Sequence, residues 1–292
     1  MKKVFLILLI TAFCSLGALG QESGNRNYNR NTSSQRTPPN TGNLYDSNGH
    51  YIEAYVLLNS APDEFVAVFG VAQEGSTAVE SNEKVNALID RFLSSAERLG
   101  INRGNTFVDF ITQNRVYNFS PPADNVIRET LSGFETKKTV AVRYRDRAVL
   151  EKLVTAAAQA SIFDLIKVDY IINDMTKIRT RLFEEAVRVI KQKEETYTRM
   201  LGFTMKRFAI SQELYNTFYP AELYQSYTAY ESGAVDSDYS SSGRRVIRER
   251  KSSTSYLEPL DRSAFDAVLT PIGIEPVVQS TLYLKMIYSL AR

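Results

Sequence analysis

Apolar residues in this chain recur at two spacings, every second position in some stretches and every third or fourth in others, with turn residues where the spacing changes. Ile52, Ala54, Val56 and Leu58 stand two apart and predict a strand that turns at 59–62. A second strand over 64–72 follows the turn pair Pro62-Asp63 and gives way to Gly75-Ser76-Thr77, a stop and a helix N-cap. Val85, Leu88, Ile89, Phe92, Ala96 and Leu99 then line one face of a helix over 77–99, and Gly100 closes it.

Residues 107–119 return to a strand carrying Val108, Phe110 and Ile111, stopped by Pro121-Pro122, and 125–131 reads as a short helix. Val140, Val142 and Tyr144 put 138–145 in a strand; 147–160 is an alanine-rich helix and 163–172 a strand. The longest helical pattern runs over 175–201, with Ile178, Leu182, Ala186, Val189, Ile190, Tyr197 and Leu201 on its apolar stripe and Gly202 as its cap. Opposite charges four apart (Arg181 with Glu185, Glu184 with Arg188, Glu195 with Arg199) predict that its other face is solvated.

A strand over 203–214 is followed by tyrosine-rich sequence and by low-complexity sequence over about 232–255, read as a disordered insertion. In the last strand, 277–288, Val278, Leu282, Leu284 and Met286 alternate with Gln279, Thr281, Tyr283 and Lys285, which predicts one buried face and one wet face. The order predicts an α+β fold: a mixed or antiparallel sheet with long helices packed on it, in two related strand-and-helix halves. Val68, Phe92, Leu182 and Leu284 are expected to share one core.

The ends change the picture of where such a domain works. Residues 1–20 have the form of a secretory signal: Lys2 and Lys3, an apolar run from Val4 to Ala12, and small residues at Ala18 and Gly20 before Gln21. The apolar run is shorter than a membrane span needs, so cleavage is expected and no transmembrane span after it; lipidation of Cys14 is the alternative. Cleavage removes the single cysteine and two lysines, taking the formal charge from +2 to zero. No disulfide, thiol nucleophile or nucleic-acid partner is therefore expected. Residues 21–48, rich in Asn, Ser, Thr and Pro, read as a flexible linker, and 49–292 as the folded domain. The predicted location is the periplasm or another compartment of the bacterial envelope.

The chemistry-bearing residues are sparse. His50 is the only histidine and reads as an exposed loop residue at the end of the linker, out of place for a catalytic triad or a histidine metal site. Glu184-Glu185 and Glu194-Glu195 point about 100° apart within each pair and read as solvated helix surface. The chain has no glycine-rich phosphate loop, so no cofactor is expected. Arg244, Arg245, Arg248, Arg250 and Lys251 form a basic run suited to an anionic surface, giving a peripheral envelope contact. Tyr215, Tyr219, Tyr224, Tyr227 and Tyr230 form a candidate interaction surface, since a tyrosine buries a large ring and keeps a polar tip.

The stretch from Pro62 to Val71, closed by Glu74-Gly75-Ser76-Thr77-Ala78, resembles the opening of the SIMPL-domain family. Leu99-Gly100-Ile101, residues 106–112 and 140–146, Ala186, Leu201-Gly202 and 271–276 continue that resemblance over about 51–290. Two places depart from it: Ile52-Glu53-Ala54-Tyr55-Val56, where the family usually has glycines, and Lys191-Gln192-Lys193-Glu194-Glu195, where its long helix is usually alanine-rich. The resemblance implies an exported bacterial envelope protein, a general link to envelope stress, and no settled catalytic residues. The expectation is a non-enzymatic protein that acts by protein binding or self-assembly, as a homo-oligomer or with another envelope protein. The alternative is a carboxylate- and tyrosine-based envelope enzyme or a glycan-binding protein.

Overall fold

The computed structural model describes residues 45–46, 49–119, 128–202, 205–228, 253–271 and 275–290. The predicted signal, nearly all of the linker, Pro121-Pro122, Tyr230 and the basic run 244–251 lie outside the described residues.

Two sheets organise the main unit. The first contains β1 (Tyr45–Asp46), β2 (Gly49–Ser60), β7 (Met205–Phe218), β10 (Ala267–Leu269) and β11 (Val278–Leu290). Its order is β1-β2-β11-β7, antiparallel throughout, with β10 added parallel to β2. The second is an antiparallel sheet, β4-β5-β3-β6, built from β3 (Glu64–Gly75), β4 (Thr106–Phe119), β5 (Glu129–Tyr144) and β6 (Asp164–Ile171). With α1 (Ala78–Arg98) after β3 and α2 (Val149–Gln159) after β5, it has the β-α-β-β-α-β order of a ferredoxin-like unit. The remaining helices are α3 (Met175–Leu201) and the short α4 (Pro220–Leu223). The fold is α+β, as the patterning predicts.

Residues 59–62 do not close a hairpin, because β2 and β3 belong to different sheets. Here the chain passes from one sheet to the other, and it passes back between β6 and α3. Asp63 joins the two crossings: its N–H donates to the Ile171 carbonyl at 2.8 Å, and its carboxylate accepts from the Asn173 N–H at 2.7 Å.

Each sheet has its own core. Phe65, Ala67, Phe69 and Val71 of β3, with Val140, Val142 and Tyr144 of β5, pack under Val85, Ile89, Phe92 and Leu153 of α1 and α2. Ile52, Ala54, Val56, Leu282 and Leu284 pack under Ile178, Leu182, Ala186 and Ile190 of α3. The expected common core is thus divided: Phe92 lies in one part, Leu182 and Leu284 in the other. Val68 is in neither and is half-buried on the opposite face of β3, since one position along a strand reverses the face. Leu201, expected on the α3 stripe, is exposed in the last turn.

Three further expectations change. Residues 129–131 begin β5 instead of ending a helix, and 253–255 belong to β9 (Ser253–Leu257) instead of the low-complexity insertion. β11 has no wet face over 278–284: Gln279, Thr281 and Tyr283 are as buried as Val278, Leu282 and Leu284. Leu57, Leu223 and Leu260 form a third small cluster on that side of the sheet. β8 (Tyr224–Thr228) pairs with β9 in a separate two-stranded sheet.

The α1 start shows local sequence dictating structure. Thr77 is the N-cap and accepts from the Glu80 N–H, while Glu80 accepts from the Ser76 N–H and pairs with Lys84 at 2.7 Å. Backbone approaches closely here: a Cβ on Gly133 would stand 2.5 Å from the Gly75 carbonyl oxygen, and one on Gly75 would stand 2.5 Å from the Ser81 nitrogen. Lys84, then Ser76, hold the Glu80 carboxyl down at about 2, from an ordinary 4.5. A depressed carboxylate stabilises the fold above its unfolded pKa, and that contribution is lost as pH falls through the folded value. The melting-temperature difference between the parent and Glu80→Gln is therefore expected to be constant above pH 5 and to close as pH approaches 2. A Glu80 midpoint above 4 in a carboxyl NMR titration would contradict this.

Candidate interaction surface

β4 is fourteen residues long and forms an edge of the four-stranded sheet, paired only through β5. Its sequence, Thr-Phe-Val-Asp-Phe-Ile-Thr-Gln-Asn-Arg-Val-Tyr-Asn-Phe, places apolar residues on both faces. Such a strand normally lies in the middle of a sheet. Here Phe107, Phe110, Ile111 and Phe119 are all more than half exposed. The register with β5 shifts between Phe110 and Thr112, where Ile111 is the extra residue. Beyond Gly75 the β4–β5 ladder continues without β3, and Tyr117 and Leu131 are exposed on that two-stranded part.

The opposite edge, β6, has different chemistry. Asp164, Lys167 and Asp169 put three charges into eight residues, and a register shift interrupts its pairing with β3 between Val68 and Phe69. Charge and bulges are the devices that keep an edge from pairing with another chain. Phe163, Leu165 and Ile166 are exposed there too, but β4 carries only Asp109 and Arg115 over almost twice the length. Register shifts occur along both edges, two in the β4–β5 ladder and one in the β3–β6 ladder, so β4 is the edge less protected by charge. The strand was legible from Val108, Phe110 and Ile111; its edge position was not, because apolar residues on both faces suit a buried strand equally well.

The predicted tyrosine surface is distributed over several environments. Tyr215 lies on β7 against the α3 core, with the Arg179 guanidinium 5.7 Å from its ring centre. Burial, then a hydrogen bond with Glu213, pushes its phenol up to about 12. Tyr219 precedes α4, its N–H donating to Glu222 at 3.2 Å, and is partly exposed. Tyr224 is exposed and near enough to Tyr170 to raise its pKa, after burial. Tyr227 belongs to the β8–β9 sheet.

His50 is in β2, opposite Tyr288 of β11, and not in a loop. Glu185 and Glu194 are more covered than a solvated helix face predicts, paired with Arg188 and Arg207 respectively. Arg188 thus takes Glu185 and not Glu184. Patterning gave no sign of one partly buried ionisable cluster. Glu53 and Lys285 stand opposite each other on β2 and β11, 3.3 Å apart, and the Lys285 ammonium lies 3.9 Å from the Tyr51 ring centre. Burial, with the Glu53 carboxylate accepting a hydrogen bond, pushes the Tyr283 phenol up. Across the β2 edge, Asp266 accepts from the Tyr55 N–H at 2.8 Å and pairs with Lys193 of α3. These groups satisfy one another, so the cluster joins β2, β11 and α3 electrostatically. Among the described residues, no group of three or more His, Cys, Asp or Glu is placed to hold a metal ion, and no helix is long and apolar enough to cross a membrane.

Compared with known families, residues 55–253 match SIMPL, described as a protein of unknown function (DUF541). The chain belongs to the SIMPL family. No curated protein matches it. The SIMPL match begins within β2 and ends at the first residue of β9, so it takes in the whole four-stranded sheet and its helices. The Pro62 to Ala78 stretch lies inside the match, and 271–276 lies beyond it.

Proposed function

We propose that this SIMPL protein is an exported, non-enzymatic protein of the bacterial envelope that acts by binding proteins, first of all further copies of itself. The observation that carries the reading is the β4 edge, long, apolar and sparsely charged. Unpaired N–H and C=O groups along an edge are a template for another strand, and exposed aromatics beside them add apolar burial to the new hydrogen bonds. A specific contact buries about 800 Å² on each partner. The signal-like start supports export, and the family resemblance supports a role in envelope stress.

Light scattering on the mature protein tests this. The parent is expected to have a mass of two or more subunits at micromolar concentration. Phe107→Lys with Ile111→Lys, both at exposed positions, is expected to reduce it to one subunit with an unchanged circular dichroism spectrum. Tyr219→Ser with Tyr227→Ser tests the tyrosine segment separately. A concentration-independent single-subunit mass for the parent overturns the reading, and dissociation by the tyrosine pair alone moves the contact away from β4.

A further inference from the structure

A groove runs between α1 and α2 on the outer side of the helix layer, and its chemistry differs from that of the β4 edge. Two adjoining cavities form it, of about 550 and 430 Å³, joined through Ser95, Arg98 and Gln159. Each is of the size that takes a small ligand. The helices are oppositely directed here, since Arg98 in the last turn of α1 shares a cavity with Glu151 and Lys152 in the first turn of α2.

Three cations line the groove: Arg91, Arg98 and Lys152. Arg91 donates to the Ala87 carbonyl and Arg98 to the Ser95 hydroxyl; none of the three pairs with a carboxylate among the described residues. Most other cations on this sheet and its helices are committed, Lys84 to Glu80, Arg103 to Glu97 and Arg145 to Glu64. Arg91 and Arg98 are seven residues apart, two turns, so they share a helix face at a spacing of about 10 Å. That is about the length of a disaccharide. Asp90 and Glu151 stand at the two ends of the groove. A bare polyanion gains nothing from those carboxylates, whereas a sugar, whose hydroxyls donate, uses them as acceptors.

We propose that the α1–α2 groove binds an acidic glycan carrying one carboxylate per disaccharide, with successive carboxylates at Arg91 and Arg98. The guanidiniums take the carboxylates through charge-assisted, paired N–H donors, and Asp90, Glu151 and the Ser95 hydroxyl take sugar hydroxyls. Lys152 sets the charge where the chain leaves over α2. The site lies on the helices, not on β4, so it stands whether or not the protein self-assembles.

The test is calorimetric titration of the mature protein with a hyaluronan octasaccharide, which has the proposed anion spacing. A neutral chitin oligosaccharide and vesicles containing anionic phospholipid serve as comparisons. The hyaluronan fragment is expected to bind, weakening as salt rises through screening, and the neutral oligosaccharide is expected not to bind. Arg91→Gln with Arg98→Gln is expected to weaken binding at least tenfold. Lys177→Gln with Arg181→Gln, which removes the same charge from α3, should change it less than twofold. Unchanged melting temperatures for both variants establish that folding is intact. Equal losses in the two variants would reduce the effect to net charge and overturn the site. Absence of hyaluronan binding would overturn it too, as would binding to the vesicles alone.

Discussion

Phe92→Ala is expected to lower stability by about 3–5 kcal/mol, the range for removing a large aromatic from a packed core. Phe92 is fully buried at the middle of the α1 face, with its ring edge-on to Phe69 of β3 at 5.0 Å between centres. The pair joins helix to sheet in the ferredoxin-like half, so truncation removes an aromatic contact as well as apolar burial. Neighbours from α1, β3 and β5 surround the site, which limits how far the cavity can collapse. Val68→Ala, one position from Phe69 but on the half-buried face of β3, is expected to cost less than about 1 kcal/mol, within the range of surface changes and small truncations. Urea denaturation followed by circular dichroism gives both values, and a Val68 loss equal to that of Phe92 would mean that β3 is turned over.

Gln279→Leu is expected to cost about 2–6 kcal/mol through a different mechanism. Gln279 is fully buried on β11; its amide oxygen accepts from the Leu260 N–H at 2.8 Å, and its amide nitrogen donates to the Asn59 side-chain oxygen at 2.8 Å. Asn59 in turn donates to the Thr270 carbonyl at 2.8 Å. This chain of bonds holds the segment between β9 and β11 against the strands. Leucine is nearly the same size but leaves the Leu260 donor and the Asn59 acceptor without partners, at about 1–3 kcal/mol each. Asn59→Leu combined with Gln279→Leu should cost less than the sum of the two single changes, because each single change orphans one end of the Asn59–Gln279 bond and the double change removes both ends. Additive losses in that double-mutant cycle would mean that the two amides do not act together.

The contrast between these residues separates what was legible from what was not. The α1 face at Val85, Leu88, Ile89 and Phe92 was readable because a helix repeats every 3.6 residues and its buried stripe follows from order alone. The Thr77 cap, Gly100 and the Gly202 end of α3 were equally local; the side chain or left-handed backbone that ends a helix belongs to its neighbours in sequence. Gln279 looked wet because β11 alternates, and alternation reports one buried face without reporting what later covers the other. Leu223 and Leu260 pack there with Leu57 of the neighbouring strand β2, and they come from three separate parts of the chain.

The interaction surface lies at the same boundary. The apolar content of β4 is fixed by its residues, and so is membership of the family that its neighbours in sequence identify. That β4 stands at an edge, that β2 and β3 divide between two sheets, and that Arg91, Arg98 and Lys152 line a single groove are decided by pairings between residues far apart in the chain. Strand pairing and helix packing gain their free energy only when distant segments meet, so local periodicity determines which elements form, and the assembled fold determines which of their faces and edges remain open.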